Sequence, residues 1–164
     1  MDDLLEWLYN LSLSGAVHEV PWIFPTLEWI HIYSMIFLIT VIAALDLRLL
    51  GFAMENPPHQ HLSQLSRRIL PSAWIALGVN TITGAILFAS KAPEYYYNPA
   101  FRIKILLVLL GILYHSLVFP MVVIPRAAKW DKTLLMPLWT KLVGGFSLLL
   151  WVGVILASRF IAFV

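Results

Sequence analysis

A carboxylate and an imidazole lie one helical turn apart in the first long apolar stretch of the chain, at Glu28 and His31. A second histidine, His115, lies in the third apolar stretch. Ionisable groups are costly in such segments and usually face an internal partner or a functional site. Because imidazoles on facing helices of a bundle commonly ligate the iron of a b-type haem, both histidines are candidate metal ligands.

The charged residues near His31 suggest how such a haem would be held. Glu28 precedes His31 by three residues, so it is predicted to accept the second ring proton and fix the tautomer of the ligand. Arg102 and Lys104 are expected at the start of the third span, where cations would meet the haem propionates. The predicted cofactor is therefore haem b, with a site formed by His31, His115, Glu28, Arg102 and Lys104.

Other interpretations of the two histidines remain open. Counted from the outer span ends, His115 lies about eight residues, or roughly 12 Å, deeper than His31. Counted from the inner ends, the offset is about four residues, or roughly 6 Å. Since two ligands of one iron lie at similar depth, a haem on one histidine, with Met35 or another group opposite, is an alternative. So is a histidine that is simply hydrogen-bonded within the bundle.

Two ion pairs are also predicted, because an isolated charge is unstable in hydrocarbon. Glu28 and Lys104 are expected at similar depth and could pair across the bundle, for architecture or for function. At the other membrane boundary, Asp46 is expected to pair with one of four basic residues: Arg48, Arg67, Arg68 or Lys141.

The composition of the chain indicates a membrane protein. It is 60% hydrophobic and 12% charged, with a mean hydropathy of +0.83, whereas soluble domains have about 25% charged residues. Four stretches are long enough to cross a bilayer. We predict one membrane domain, 1–164, with an amphipathic interfacial helix at 2–13 and spans at 22–50, 68–90, 101–124 and 137–163.

Short connections make neighbouring spans antiparallel, so the predicted fold is an all-α, up-down-up-down four-helix bundle. Two stripes of small and polar residues favour close helix packing, one in the second span around Asn80 and Gly84 and one in the fourth around Gly144 and Ser147. Pro120 is expected to bend the third span just past His115, since proline removes a helical hydrogen bond.

Basic residues predict the orientation of the bundle. The loops after the first and third spans hold seven Lys and Arg residues, against four on the opposite side. The positive-inside rule then predicts a multi-pass protein of the bacterial inner membrane with both termini in the periplasm. The lipid bilayer is the predicted partner, and a net charge of only +2 gives no indication of nucleic-acid binding.

Two classes of site remain to be considered. The absence of cysteine excludes disulfides, thiolate metal sites and covalently attached haem. The loop histidines His59 and His61, beside Met54 and Glu55, are a candidate copper or zinc site, with a solvated turn as the alternative.

Several motifs resemble those of an uncharacterised family of small bacterial four-span inner-membrane proteins, from about Trp22 onward: Glu28-x-x-His31, Asp46-Leu-Arg-Leu-Leu-Gly51, Thr83-Gly84 with Phe88, and Phe101-x-x-Lys104. More distantly, the layout is similar to copper-resistance-D-like proteins and to membrane cytochromes of the b561 kind. The b561 resemblance implies paired histidines on facing spans, of which this chain has only His31 and His115.

Three functions are consistent with these features. The first is a b-haem electron carrier between the quinone pool and a periplasmic partner. The second is a non-catalytic accessory or assembly subunit of a larger membrane complex, and a homo-oligomer is a further possible assembly. The third is a small copper or proton conduit with His31, Met35 and the loop of His59 and His61 along its route. The sequence has no nucleophile–base pair, phosphate loop or metalloprotease motif, so no catalytic residue is predicted.

Overall fold

The computed structural model describes residues 2–10, 17, 19–52, 62–130 and 137–163. These residues form helices and turns without a strand, which confirms the predicted all-α class. The helices are α1 (Asp2–Tyr9), α2 (Ile23–Leu49), α3 (Leu62–Ser90), α4 (Ala92–Tyr97), α5 (Pro99–Val118), α6 (Ile124–Trp130) and α7 (Leu138–Phe160). A π-helical segment, Phe119–Val123, joins α5 to α6.

Four of these helical stretches are long and apolar enough to cross a membrane: Ile23–Leu49, Leu62–Ser90, Pro99–Ala127 and Leu138–Phe160. Their outer surfaces are apolar as well as their cores, since Ile75 is 70% exposed and Leu149 is 72% exposed. A surface with so many large apolar side chains would be unstable in water, whereas it is stable in contact with lipid tails. The predicted four-helix membrane bundle is therefore confirmed.

The order of packing places α2 near the middle of the bundle. Helix α2 packs along both α3 and α7, and α7 in turn packs along α5. Among the described residues, no Cα atom of α3 lies within 8 Å of a Cα atom of α5. Helix α3 instead contacts α6, so the third and second spans meet mainly at that end. We call the two ends of the bundle the α4 end and the α6 end.

The end of α2 explains part of the Asp46–Gly51 motif. The Gly51 amide donates to the carbonyl of Arg48, and the Phe52 amide donates to that of Leu47. This pair of bonds is a Schellman cap, and Gly51 has the positive φ of 92° that the cap requires. Glycine adopts this conformation at little cost because it has no Cβ.

The third span departs from α geometry where proline interrupts it. Pro120 lies in the π-helical segment, as expected for a residue that cannot donate a backbone hydrogen bond. At the α4 end, the side chain of Asn98 caps α5 by accepting from the Phe101 amide, and its Nδ2 donates to the carbonyl of Ile161. These bonds hold the start of α5 against the end of α7.

The N-terminal helix packs on the α4 end of the bundle. Helix α1 contacts α4 and α3, with Leu5 buried and Trp7 exposed. The described helix ends at Tyr9, and residues 11–13 of the predicted interfacial helix lie outside the described residues. Its position in the membrane interface stays a prediction.

Candidate functional site

The ring of His31 lies between α2 and α3 in the half of the bundle nearer the α4 end. Its Nδ1 lies 3.1 Å from the carbonyl oxygen of Asn80 and 3.0 Å from Oγ1 of Thr83. A carbonyl can only accept, and the Thr83 hydroxyl already donates to the carbonyl of Val79 at 2.8 Å. The proton must therefore sit on Nδ1, so Nε2 keeps its lone pair, which has no hydrogen-bond partner among the described residues.

Polar groups on both helices hold this arrangement. The Asn80 side-chain amide donates to the carbonyl of His31 at 2.9 Å and to Oγ of Ser34 at 3.1 Å. The Ser34 hydroxyl donates to the same His31 carbonyl at 2.9 Å. Gly84 packs directly against the ring, since a Cβ at this position would lie only 3.0 Å from Cε1 of His31. The imidazole is thus fixed in position, tautomer and orientation.

Glu28 does not have the role predicted for it. The Nδ1 proton of His31 goes to Asn80 and Thr83, and the Glu28 side chain is exposed. Its neighbour is Tyr95 of α4. The pKa of the Tyr95 phenol is raised mainly by burial, and also by the nearby carboxylates of Glu94 and Glu28. The sequence spacing placed Glu28 one turn from His31 but could not show which way each side chain turns.

Lys104 and Arg102 have different neighbours in the structure. Lys104 is partly buried and lies within electrostatic range of His31, so α5 brings a cation towards the imidazole. The predicted ion pair between Glu28 and Lys104 is absent from the described residues. Arg102 is exposed and donates to the carbonyl of Tyr96 at 2.8 Å, with its guanidinium over the Tyr96 ring. It is therefore bound to α4 and does not contact His31.

His115 lies in a different helix interface from His31. Its Nδ1 donates to the carbonyl of Gly111 at 2.9 Å, so its Nε2 accepts, and the Ser147 hydroxyl of α7 lies 3.3 Å from Nε2. The ring stacks on Phe119 at 5.0 Å and meets Trp151 edge-on at 6.0 Å. Both nitrogens are occupied and the ring is buried.

The two histidines therefore differ in their fitness to ligate haem iron. His31 has one anchored nitrogen and one free nitrogen, which is the arrangement that metal-ligating histidines have. His115 would have to break its bond with Ser147 to offer Nε2. The residues fit a haem on His31 and do not fit one held jointly by His31 and His115, which contact α3 and α7 respectively.

Asp46 is the most deeply buried charged residue that the structure describes. Its side chain is 0% exposed, and neither Oδ1 nor Oδ2 has a hydrogen-bond partner. The ion pair predicted for it with a basic residue is absent from the described part of the chain. The carboxyl lies instead beside Ser147, in the interface between α2 and α7.

Sequence analysis missed the partners of both histidines. Asn80, Thr83 and Ser147 were recognised as members of packing stripes, and Thr83 also as part of a family motif; both stripes are largely buried. A histidine at the same depth as a polar residue in the neighbouring span is the signal that would have paired them. Met35 packs at the edge of an apolar cluster that includes Leu38 and Trp151.

No group of three or more metal-ligating His, Cys, Asp or Glu side chains occurs among the residues that the structure describes. The candidate metal loop around His59 and His61 lies outside them.

The model of a family of unknown function, DUF6644, matches residues 8–164. This match confirms the predicted resemblance to an uncharacterised family over most of the chain. No curated protein matches the chain, and neither does any solved structure.

Proposed function

Since the chain belongs to the family of unknown function DUF6644, we propose its function from the geometry of its own residues: it is a membrane-embedded b-type haem protein that transfers electrons. One observation carries this proposal. Nδ1 of His31 is anchored by Asn80 and Thr83, so Nε2 offers an unshared lone pair inside the bundle. An imidazole restrained in this way is prepared to ligate a metal without further rearrangement.

Two features of the chain support binding at this position. Gly84 lets the ring pack closely on α3. Lys104 brings a positive charge within electrostatic range of His31, where a propionate would be neutralised.

The residues of the chain would hold and orient the proposed group. His31 would hold it through Nε2, and the Asn80 and Thr83 acceptors would raise the basicity of that nitrogen through the Nδ1 proton. A bound haem would supply one-electron redox chemistry at a potential set by this histidine and its surroundings.

The proposed setting is the bacterial inner membrane with both termini in the periplasm, as the distribution of Lys and Arg predicts. The α4 end then faces the periplasm. His31 lies eight residues after the start of α2, or about 12 Å along the helix. This depth supports electron transfer from the quinone pool to a periplasmic partner, by analogy with the distantly similar b561-type cytochromes.

The absorption spectrum of the detergent-purified protein, oxidised and then dithionite-reduced, tests the proposal. We expect a Soret band and sharp reduced α and β bands in protein made with ample haem supply. A featureless visible region under these conditions would contradict the haem function. It would favour the non-catalytic accessory subunit instead, for which co-purification with other membrane proteins is the corresponding measurement.

A further inference from the structure

The interface between α2 and α7 encloses Asp46 completely. Gly144 of α7 makes this possible, because a Cβ at that position would lie 2.8 Å from the Asp46 carbonyl oxygen and 3.0 Å from Cβ of Leu49. The helices therefore touch at Gly144 and cover the carboxyl beside Ser147. An ionised carboxylate with no partner is very unstable in such surroundings, whereas a neutral carboxylic acid is tolerated.

Hydrogen-bond directions show what this carboxyl faces. The Gly111 carbonyl can only accept, so His115 carries its proton on Nδ1. Nε2 of His115 must then accept, and the donor 3.3 Å away is the Ser147 hydroxyl. The Ser147 oxygen consequently has lone pairs to offer in other directions, and Asp46 lies beside it with both oxygens unbonded.

We propose that Asp46 is a proton-binding site within the membrane, where it holds a proton as a neutral carboxylic acid. Helices α2 and α7 enclose the carboxyl, and neither of its oxygens has a hydrogen-bond partner. A bound proton is therefore what neutralises Asp46.

The groups around Asp46 favour a proton over a metal cation. On α5, His115 and Tyr114 are the titratable groups that face it, and the Tyr114 hydroxyl donates to the Val143 carbonyl. On α7, the buried polar side chains are Thr140, Ser147 and Trp151, and Lys141 is exposed. On its own helix, Arg48 is partly buried and makes no ion pair with Asp46.

Helix α3 is the other neighbour of α2, and its basic residues Arg67 and Arg68 are exposed. A hard metal cation needs several oxygen ligands around it, whereas the contact at Gly144 leaves no space on that side of Asp46. Two further buried polar atoms lack partners on the same face of α7, Oγ1 of Thr140 and Nε1 of Trp151. Thr140 lies about two turns before Ser147 on α7, and Trp151 about one turn after it.

Infrared spectroscopy of the full-length protein in lipid nanodiscs tests the proposal. We expect a carboxylic-acid C=O band at neutral pH that moves on labelling with ¹³C-aspartate, since Asp46 is the only aspartate within the spans. D46N should remove this band. E28Q is the matched control, because Glu28 is an exposed carboxylate and its loss should leave the band in place.

A wild-type protein without the aspartate band has an ionised Asp46, which would overturn the proton site. The ¹³C-labelled wild type gives this answer even if D46N does not fold.

Discussion

His31→Ala is expected to abolish haem binding, while His115→Gln is expected to retain it. The difference follows from the hydrogen bonds of the two rings: His31 has a free Nε2, and both nitrogens of His115 are engaged. Haem content per chain, measured from the pyridine haemochrome spectrum of each purified variant, gives the comparison. Equal haem in wild type and His31→Ala would show that His31 is not a ligand.

Free imidazole provides a control for folding of the His31→Ala variant. Removing the side chain leaves room beside Gly84 for a small ring, because the native ring lies against that glycine. Added imidazole should therefore restore part of the Soret band if the haem is lost only for want of a ligand. Failure of both haem binding and rescue, in a protein with native helicity, would mean that the ring of His31 has a purely structural role.

Gly144→Leu is expected to destabilise the bundle by about 2–3 kcal/mol, the upper part of the range for overpacked cores. Even a Cβ at this position would lie 2.8 Å from a backbone oxygen of α2, so the two helices must separate. The free energy of unfolding in mixed SDS micelles, followed by circular dichroism, measures the effect. Loss of the contact should also expose Asp46 to solvent.

Gly78→Leu is the matched control for this substitution. Gly78 lies within α3, and a Cβ there would meet no atom within 4 Å. The same exchange of glycine for leucine should therefore leave stability unchanged or increase it, since leucine favours the helix. Equal destabilisation by both substitutions would contradict the close contact of α2 and α7 at Gly144.

The transmembrane fold was predictable because its physical cause is local in the sequence. Runs of apolar residues must cross a bilayer as helices, and short connections make neighbours antiparallel. The glycine that ends the motif begun by Asp46 could likewise be expected near a helix end, and Gly51 has the positive φ of a cap. These inferences need only spacing and residue type.

The candidate site was predictable only in part, because its geometry depends on how each helix is rotated. Spacing identified His31 as an unusual polar residue in a span, but it assigned the ring proton to Glu28 instead of Asn80 and Thr83. Asp46 was expected to form an ion pair with a basic residue, but the packing of α2 on α7 buries it beside Ser147. Such partners lie far apart in sequence and are decided by tertiary packing.

Titration of haem-free protein with haem tests the central claim most directly. The account predicts a saturable Soret band with one haem per wild-type chain, and no saturable band for His31→Ala. The proposed single site on Nε2 of His31 would be contradicted by a wild-type chain that binds no haem. It would be contradicted equally by a His31→Ala variant that binds haem with unchanged affinity and stoichiometry.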